Sequence, residues 1–369
     1  MEPNDIKALR FRPSLRMRRI RASLIAFSLF ALLAVIYTGY WFTLAITARA
    51  STLEWATARR AKGLEAALGQ LRVSGFPFEV RLRALTVKIG DPGAGTPWSW
   101  ASEGAEAVVK PWAPFHVSVI PSGVQQVTFS RAGRRQTFRG RAKRIEAAFT
   151  IGYSGGWPED VMATVEGLDL SAVSGGGGGG PFRLDSGSLR ARFLKNAGGD
   201  DKTPAFDLVF DVNGLGFAAA SGLPFGNVVN HIGFSGQVLG PLDPARGFPS
   251  KEALTAWRDG GGTVTVSRLE AVWGPLGLRA SGTMALDEAM QPIGAFTAKF
   301  KGFIAGVEAL RRRGLIRSRD AVTATLVLGA LSRKDRDGGT SLNLSVTVQN
   351  RKLFVGPLPL MEIPEISWD

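Results

Sequence analysis

A run of 27 residues without a charged side chain, Ala22–Ala48, constrains this chain more than any other feature. A helix rises about 1.5 Å per residue, and about 20 apolar residues cross the hydrocarbon core of a bilayer, so this run is long enough to span one. Tyr37, Tyr40 and Trp41 lie towards its far end, where amphipathic rings favour the membrane interface. The sequence therefore predicts a transmembrane helix over residues 22–48, with Leu33 in its interior.

A basic tail precedes this run. Residues 1–21 carry seven basic and two acidic side chains, which is +5 of the formal net charge of +14. Because Lys and Arg concentrate on the cytoplasmic side of a span, we expect the tail to lie in the cytoplasm and the rest of the chain to be exported. The flank closest to the span consists of Arg16, Arg18, Arg19 and Arg21.

A cleaved signal peptide is the alternative, because Ala48–Ala50 resembles a small-x-small cleavage site. The apolar run is longer than the roughly 7–15 residues of a signal h-region, which favours a retained anchor. Either way, the sequence predicts that the residues after about position 50 are exported.

The chemical inventory is narrow. The chain has no Cys and two His, His116 and His231, so it cannot form a disulfide, a thiolate zinc site or a three-histidine metal centre. We expect neither a metal nor a cofactor. The basic residues outside the tail are scattered, which suits anionic lipid headgroups as well as phosphodiesters. We expect a membrane, and no nucleic acid, as partner.

Alternating patterns dominate the exported part and predict a mainly β (α+β) fold of curved antiparallel sheet with a few packed helices. Residues 49–70 are predicted to continue the membrane helix as a stalk, and residues 71–369 to form the β-rich domain. We expect helices at Ser250–Trp257 and Ile304–Leu331, the second broken near Gly314. The glycine run at 175–181 is a candidate boundary between two lobes.

Several strands carry large apolar residues on one side only. Such a face must close on itself, be covered by the chain's own helices or leave a groove for acyl chains, and the pattern does not choose among these. The predicted apolar face comprises Phe78, Val80, Leu82, Leu276, Leu278, Phe296 and Phe300.

One motif suggests catalysis: Gly152–Gly156 spells G-x-S-x-G, the nucleophile-elbow pattern, with Ser154 at its centre. An elbow needs a following helix, whereas Val161, Ala163 and Val165 alternate as a strand. His231 is the one histidine downstream. We therefore expect a glycine-rich hairpin and no enzyme, with a serine hydrolase that uses Ser154 as the alternative.

The stretches "LRVSGFPFEVRLRALTV" (71–87), "PWAPFHVSVIPSG" (111–123) and "VGPLPLMEIPEI" (355–366) resemble the uncharacterised bacterial family known as domain of unknown function 2125. Residues 260–302 also resemble, in pattern, the repeats of AsmA-like envelope proteins. The second resemblance implies a membrane-anchored protein of outer-membrane homeostasis and lipid movement; neither brings a catalytic motif. Together the resemblances imply a single-pass protein of the bacterial inner membrane, with a cytoplasmic N-terminus and the bulk of the chain in the periplasm. Its expected role is non-enzymatic and in envelope maintenance, with phospholipid or another envelope lipid on the apolar face. Other envelope proteins are alternative partners, which would make the chain a scaffold.

Overall fold

The computed structural model describes residues 15–131, 134–152, 158–174, 181–194, 202–218, 222–242, 250–334, 339–356, 358–366 and 368. Its first element is one continuous helix, α1 (Leu15–Ala61). At about 1.5 Å per residue, 47 residues make a helix about 70 Å long. From Ser23 to Ala61 it is long and apolar enough to cross a membrane, a property that an anchor and a signal sequence share.

The predicted stalk is shorter than expected. Helix α1 ends at Ala61, before Gly63 at a positive φ of 79°. Residues Glu65–Leu68 form a strand instead of a helix, because they pair with Val87–Gly90. That partner is remote in sequence, and tertiary pairing outweighs the local helical pattern here.

The strands in the described residues are β1 (Glu65–Leu68), β2 (Leu71–Ser74), β3 (Val80–Ala84), β4 (Val87–Asp91), β5 (Trp98–Lys110), β6 (Ala113–Arg131), β7 (Arg134–Arg141), β8 (Arg144–Ile151), β9 (Pro158–Ser174), β10 (Phe182–Phe193), β11 (Pro204–Gly216), β12 (Val228–Leu239), β13 (Thr263–Trp273), β14 (Leu276–Leu286), β15 (Pro292–Lys301), β16 (Arg333–Lys334), β17 (Thr340–Gln349), β18 (Lys352–Val355) and β19 (Leu358–Glu362). The later helices are α2 (Lys251–Asp259), α3 (Phe303–Arg312) and α4 (Ser318–Leu331).

All described pairings are antiparallel and join the strands into one large curved sheet. Strands β3 and β4 lie end to end along one edge of β5 and pair with successive parts of it, and β6 pairs with the other edge. Strand β6 in turn borders both β7 and β8, which both pair with β9. From β9 the order follows the chain through β15, then β17 to β19.

The ladder is unbroken at the predicted lobe boundary. Strands β9 and β10 flank residues 175–180, which lie outside the described residues, and pair from Asp160–Arg192 to Leu170–Phe182. Strand β3 ends at Ala84, and β4 pairs with a different part of β5.

The predicted later helices are confirmed. Helix α2 begins after Ser250, whose side chain accepts a hydrogen bond from the Ala253 backbone N–H, as an N-cap should. The 304–331 segment divides into α3 and α4 at Gly314, which has a positive φ of 71°. Helices α2 and α3 each bury one side; α4 leaves Val322 and Leu326 exposed.

Candidate functional site

Two adjacent rows of side chains run across one face of the sheet without a charged or polar member. Directly opposed residues in an antiparallel ladder project to the same face, so the register identifies each row. The first row crosses thirteen strands: Val80, Val109, Val117, Phe149, Val161, Ala191, Leu208, Gly236, Val266, Gly282, Phe296, Val346 and Val355.

The second row lies two residues along each strand, or three on β13 where the register shifts between Val266 and Leu269, and it is equally apolar. We call the two rows together the apolar track. At about 4.8 Å per strand, twelve steps from β3 to β18 give the track a length of roughly 58 Å along the ladder. The second row comprises Leu82, Ala107, Val119, Ala147, Ala163, Leu189, Phe210, Phe234, Leu269, Ala280, Ala298 and Leu344.

Phenylalanine rings lie over the glycines of the track. A Cβ on Gly282 would come within 2.6 Å of the Phe296 ring, and a Cβ on Gly236 within 2.8 Å of the Phe234 ring. Both approaches are closer than side-chain packing tolerates, so the glycines give these rings room to lie flat on the sheet. Aromatic rings therefore cover the two positions of the first row at which glycine provides no side chain.

The opposite face of the same strands is polar and lined with ion pairs. Arg81 and Arg83 both bind Glu106 near the start of the sheet. Further along, Arg268 makes a bidentate bond to Asp211, with N–O distances of 2.8 and 2.9 Å. This guanidinium lowers the pKa of Asp211, mainly by hydrogen bonding. Across the track, the sheet thus has one largely polar side with ion pairs and one apolar side.

Helix α1 covers the start of the track. Trp41 and Ala45 pack on Val80 and Val109, and all four are buried. Leu44 and Ala48 flank this contact on the helix. The Trp41 indole N–H also donates to the Glu79 carbonyl oxygen at 3.0 Å.

Two tyrosines fix the same helix to the loops around β3. The Tyr37 hydroxyl donates to the Pro77 carbonyl oxygen at 2.5 Å, and the Tyr40 hydroxyl to the Pro111 carbonyl oxygen at 2.6 Å. The aromatic residues at the end of the span indicated a membrane interface, but their contacts with the β domain had no signal in the sequence. The upper part of the predicted span, from Tyr37 to Ala48, lies partly against protein.

Helices cover two further parts of the apolar face. The Trp257 side chain of α2 packs with Phe193, Phe206 and Val238, beside the track, and its indole N–H donates to the Leu239 carbonyl oxygen at 2.8 Å. Gly306 of α3 lies against Leu276, where a Cβ would meet the leucine at 2.5 Å. Neither contact reaches the track in β8–β10, where no apolar-face side chain is fully buried.

The predicted face residues separate into two groups. Val80, Leu82 and Phe296 belong to the track, and Leu276, Leu278 and Phe300 lie on the same face beside it. The prediction for Phe78 is wrong. It precedes β3 in a turn and is 72% exposed, because the strand begins only at Val80.

The catalytic motif lies between two strands that pair with each other, β8 and β9, and the strand predicted by the alternation after the motif is present as β9. Ser154 itself lies outside the described residues, between Ile151 of β8 and Pro158 of β9. His231 is on β12, six residues from Gln237, which lies in the ladder row of Asp160. At about 3.4 Å per residue, His231 is therefore about 20 Å further along the strands than Asp160, near the start of β9.

His231 and His116 have local partners. The His231 Nδ1 is 2.8 Å from the Asn213 side-chain oxygen, and its Nε2 lies 3.6 Å from Glu270 and 3.7 Å from Asp211. His116 Nδ1 is 3.2 Å from the Thr150 hydroxyl. Among the described residues, no group of three or more His, Asp or Glu side chains is placed to hold a metal ion.

An antiparallel sheet with two unbroken apolar rows, which follows an N-terminal helix long and apolar enough to cross a membrane, defines the class as a β-rich protein with a candidate membrane helix. The chain belongs to the family described as an uncharacterised protein conserved in bacteria (DUF2125), which matches residues 41–364. No curated protein and no solved structure matches it.

Proposed function

We propose that this protein is anchored in the bacterial inner membrane by α1 and holds lipid acyl chains along the apolar track on the periplasmic side. Its role is non-catalytic and contributes to envelope maintenance. The observation that carries this proposal is the track itself: two neighbouring rows without a polar side chain, from the helix contact at Val80 to the last strands.

A face of this kind gains from contact with acyl chains. Each methylene removed from water contributes about 0.8 kcal/mol, so even a partly covered chain binds usefully. In the middle of the track Leu189 is 38% exposed, and its neighbours Ala163 and Phe210 are only half-buried. Exposed apolar surface of this extent typically marks an interaction site.

The contacts of α1 support a retained anchor over a cleaved signal sequence. Cleavage near Ala50 would remove Trp41 and Ala45 and expose Val80 and Val109, which they bury. The family match likewise begins at residue 41, before that position. A cleaved protein would therefore lose both a buried cluster and part of the segment that defines the family.

Lipid extraction followed by mass spectrometry tests the proposal. We expect phospholipid to co-purify with the full-length protein in mild detergent, and Phe296→Asp to reduce the lipid recovered. The matched control is Thr297→Asp, one residue along β15 on the opposite, exposed face. Thermal unfolding of both variants checks that they fold. Equal lipid recovery from the two folded variants would leave a non-catalytic scaffold as the better account.

Membrane topology is tested separately. A reporter fused after Asp369 should be active only in its exported form, and the protein should stay with membranes after alkaline washing. Cytoplasmic reporter activity would reverse the orientation, and release by washing would indicate a cleaved leader.

The non-catalytic role is tested at the serine. Ser154→Ala should leave any cellular phenotype unchanged, and a serine-directed activity probe should not label the protein. Labelling that disappears in Ser154→Ala would instead identify a hydrolase.

A further inference from the structure

Three aromatic side chains project into solvent where the β domain meets α1. Phe76 and Phe78, in the loop between β2 and β3, are 51% and 72% exposed, and Trp112, in the turn between β5 and β6, is 67% exposed. We call these three residues the aromatic collar. Large rings exposed together on a water-facing surface are costly, so the collar needs an occupant.

The collar is fixed to one level of the helix. Tyr37 bonds the Pro77 carbonyl between Phe76 and Phe78, and Tyr40 bonds the Pro111 carbonyl next to Trp112. The Phe76 ring also meets the Trp41 ring edge-on at 5.3 Å. Three helical positions separate the two tyrosines, which is about 4.5 Å along the axis. Both loops therefore lie beside the same turn of α1.

The exposure and the length of α1 indicate where its Tyr37–Tyr40 turn would lie relative to a bilayer. From Leu24 to Ile36 the large apolar side chains are all exposed, as they are where lipid surrounds a helix. The 19 residues from Ala22 to Tyr40 span about 28 Å, close to the roughly 30 Å hydrocarbon core. Along α1 after Tyr40, the first charged residue is Arg49. Tyr37 and Tyr40 thus lie at the membrane–water boundary, where Trp and Tyr prefer to be.

We propose that the aromatic collar inserts into the headgroup–acyl boundary of the exported-side leaflet, in the same bilayer that α1 crosses. Continuity with the lipid-exposed helix selects a bilayer over a protein partner, because the collar lies beside helix turns that lipid already surrounds. The inference rests on the membrane anchoring proposed above. It fixes the β domain on the membrane surface at two loops as well as at the helix.

The collar also sets where the track begins. Val80 follows Phe78 by two residues, and Val109 precedes Trp112 by three. Both are the first members of the track, so at about 3.4 Å per residue the apolar face starts roughly 7–10 Å from the collar.

The absence of Cys allows the collar to be probed one site at a time. Phe78→Cys and Trp112→Cys carry an NBD fluorophore in full-length protein reconstituted into phosphatidylcholine–phosphatidylglycerol vesicles. Lipids with a nitroxide near the headgroup end of the acyl chain should quench both probes. The matched control is Leu326→Cys on α4, equally apolar and 69% exposed, which should stay unquenched. Leu33→Cys reports on the anchor and should be quenched by a nitroxide deep in the chain.

The outcomes separate the two proposals. Quenching at Leu33 without quenching at Phe78 and Trp112 overturns the collar and leaves the anchor intact. Loss of quenching at Leu33 overturns the anchor. Equal quenching at Leu326 and Phe78 shows general adsorption of apolar surface and also contradicts the collar. Disulfide-linked dimers of unlabelled Phe78→Cys would identify a second copy as the occupant.

Discussion

At the end of the track that α1 covers, Val80 is fully buried beneath Trp41, and Val109 and Leu82 are almost as inaccessible. In β8–β10 the same alternation continues with residues of the same kind, such as Phe149, Val161 and Leu189, yet none of the apolar-face side chains is fully buried. The strands of the two regions differ little in pattern. They differ in whether a helix lies on the dry face.

This difference separates two uses of one face. Where α1 or α2 packs on it, burial of apolar area contributes directly to stability, about 25 cal/mol per Å². Where no helix packs, the same side chains contribute less to folding and remain available to a ligand. Substitutions in the two regions should therefore affect different measurements.

The largest effect is expected for Trp41→Ala in the covered region. Removal of this buried ring from its contacts with Val80 should lower the free energy of unfolding by about 3–5 kcal/mol. The measurement is urea denaturation in detergent. Phe30→Ala, in the apolar part of α1 where the side chain is 70% exposed, is the control and should change little. Equal effects of the two would mean that α1 does not stabilise the sheet.

A smaller loss is expected where α2 covers the face. Trp257→Phe keeps most of the ring volume but removes the hydrogen bond to the Leu239 carbonyl oxygen, which costs about 1–2 kcal/mol when the acceptor stays buried. Trp112→Phe, in the exposed collar, should cost no more than about 0.5 kcal/mol. The two variants are compared by the same denaturation experiment. A reversed order would contradict the assignment of covered and exposed sites.

The uncovered region should show the converse behaviour. Leu189→Asp should change the free energy of unfolding by no more than about 1 kcal/mol, because the side chain is partly in water. It should nevertheless reduce the lipid that co-purifies, since a carboxylate interrupts the second row. Lipid mass spectrometry and thermal unfolding are measured together, with Thr297→Asp as control. Severe destabilisation with no change in bound lipid would show that this region is closed core.

The smallest effect concerns the polar face. Arg268 lowers the pKa of Asp211 below its ordinary value, so this carboxylate stabilises the fold above the unfolded pKa of about 3.9. That contribution is lost as the pH falls through the lower folded pKa. Asp211→Asn should therefore lower the free energy of unfolding by about 0.5–1 kcal/mol at pH 7, a small effect because the pair is partly exposed. The loss should become progressively smaller in acid. Denaturation at several pH values measures it, and a constant difference would contradict the ion pair's role.

Much of the architecture could be read from local pattern. The uncharged 22–48 run, the alternation in β3 and β14, and the turn residues around Gly314 each follow from nearest-neighbour chemistry: helix length, a two-residue side-chain period and the φ freedom of glycine. These signals predicted one membrane helix, a mainly antiparallel sheet and its later helices. They also placed six of the seven candidate face residues on one face.

Long-range contacts decided the rest. The pairing of Glu65–Leu68 with β4 overrode a helical pattern, and the start of β3 at Val80 left Phe78 outside the sheet. Local alternation predicts that a strand has an apolar side, but it does not predict which residues of the neighbouring strand lie opposite that side. The two unbroken rows depend on the register of thirteen strands, and their cover depends on where α1 and α2 pack. The sequence by itself determined a helix long and apolar enough to cross a membrane, and strands with one apolar side. Only the tertiary structure joined those sides into a track and covered its first end, because register and cover are set by residues far apart in the chain.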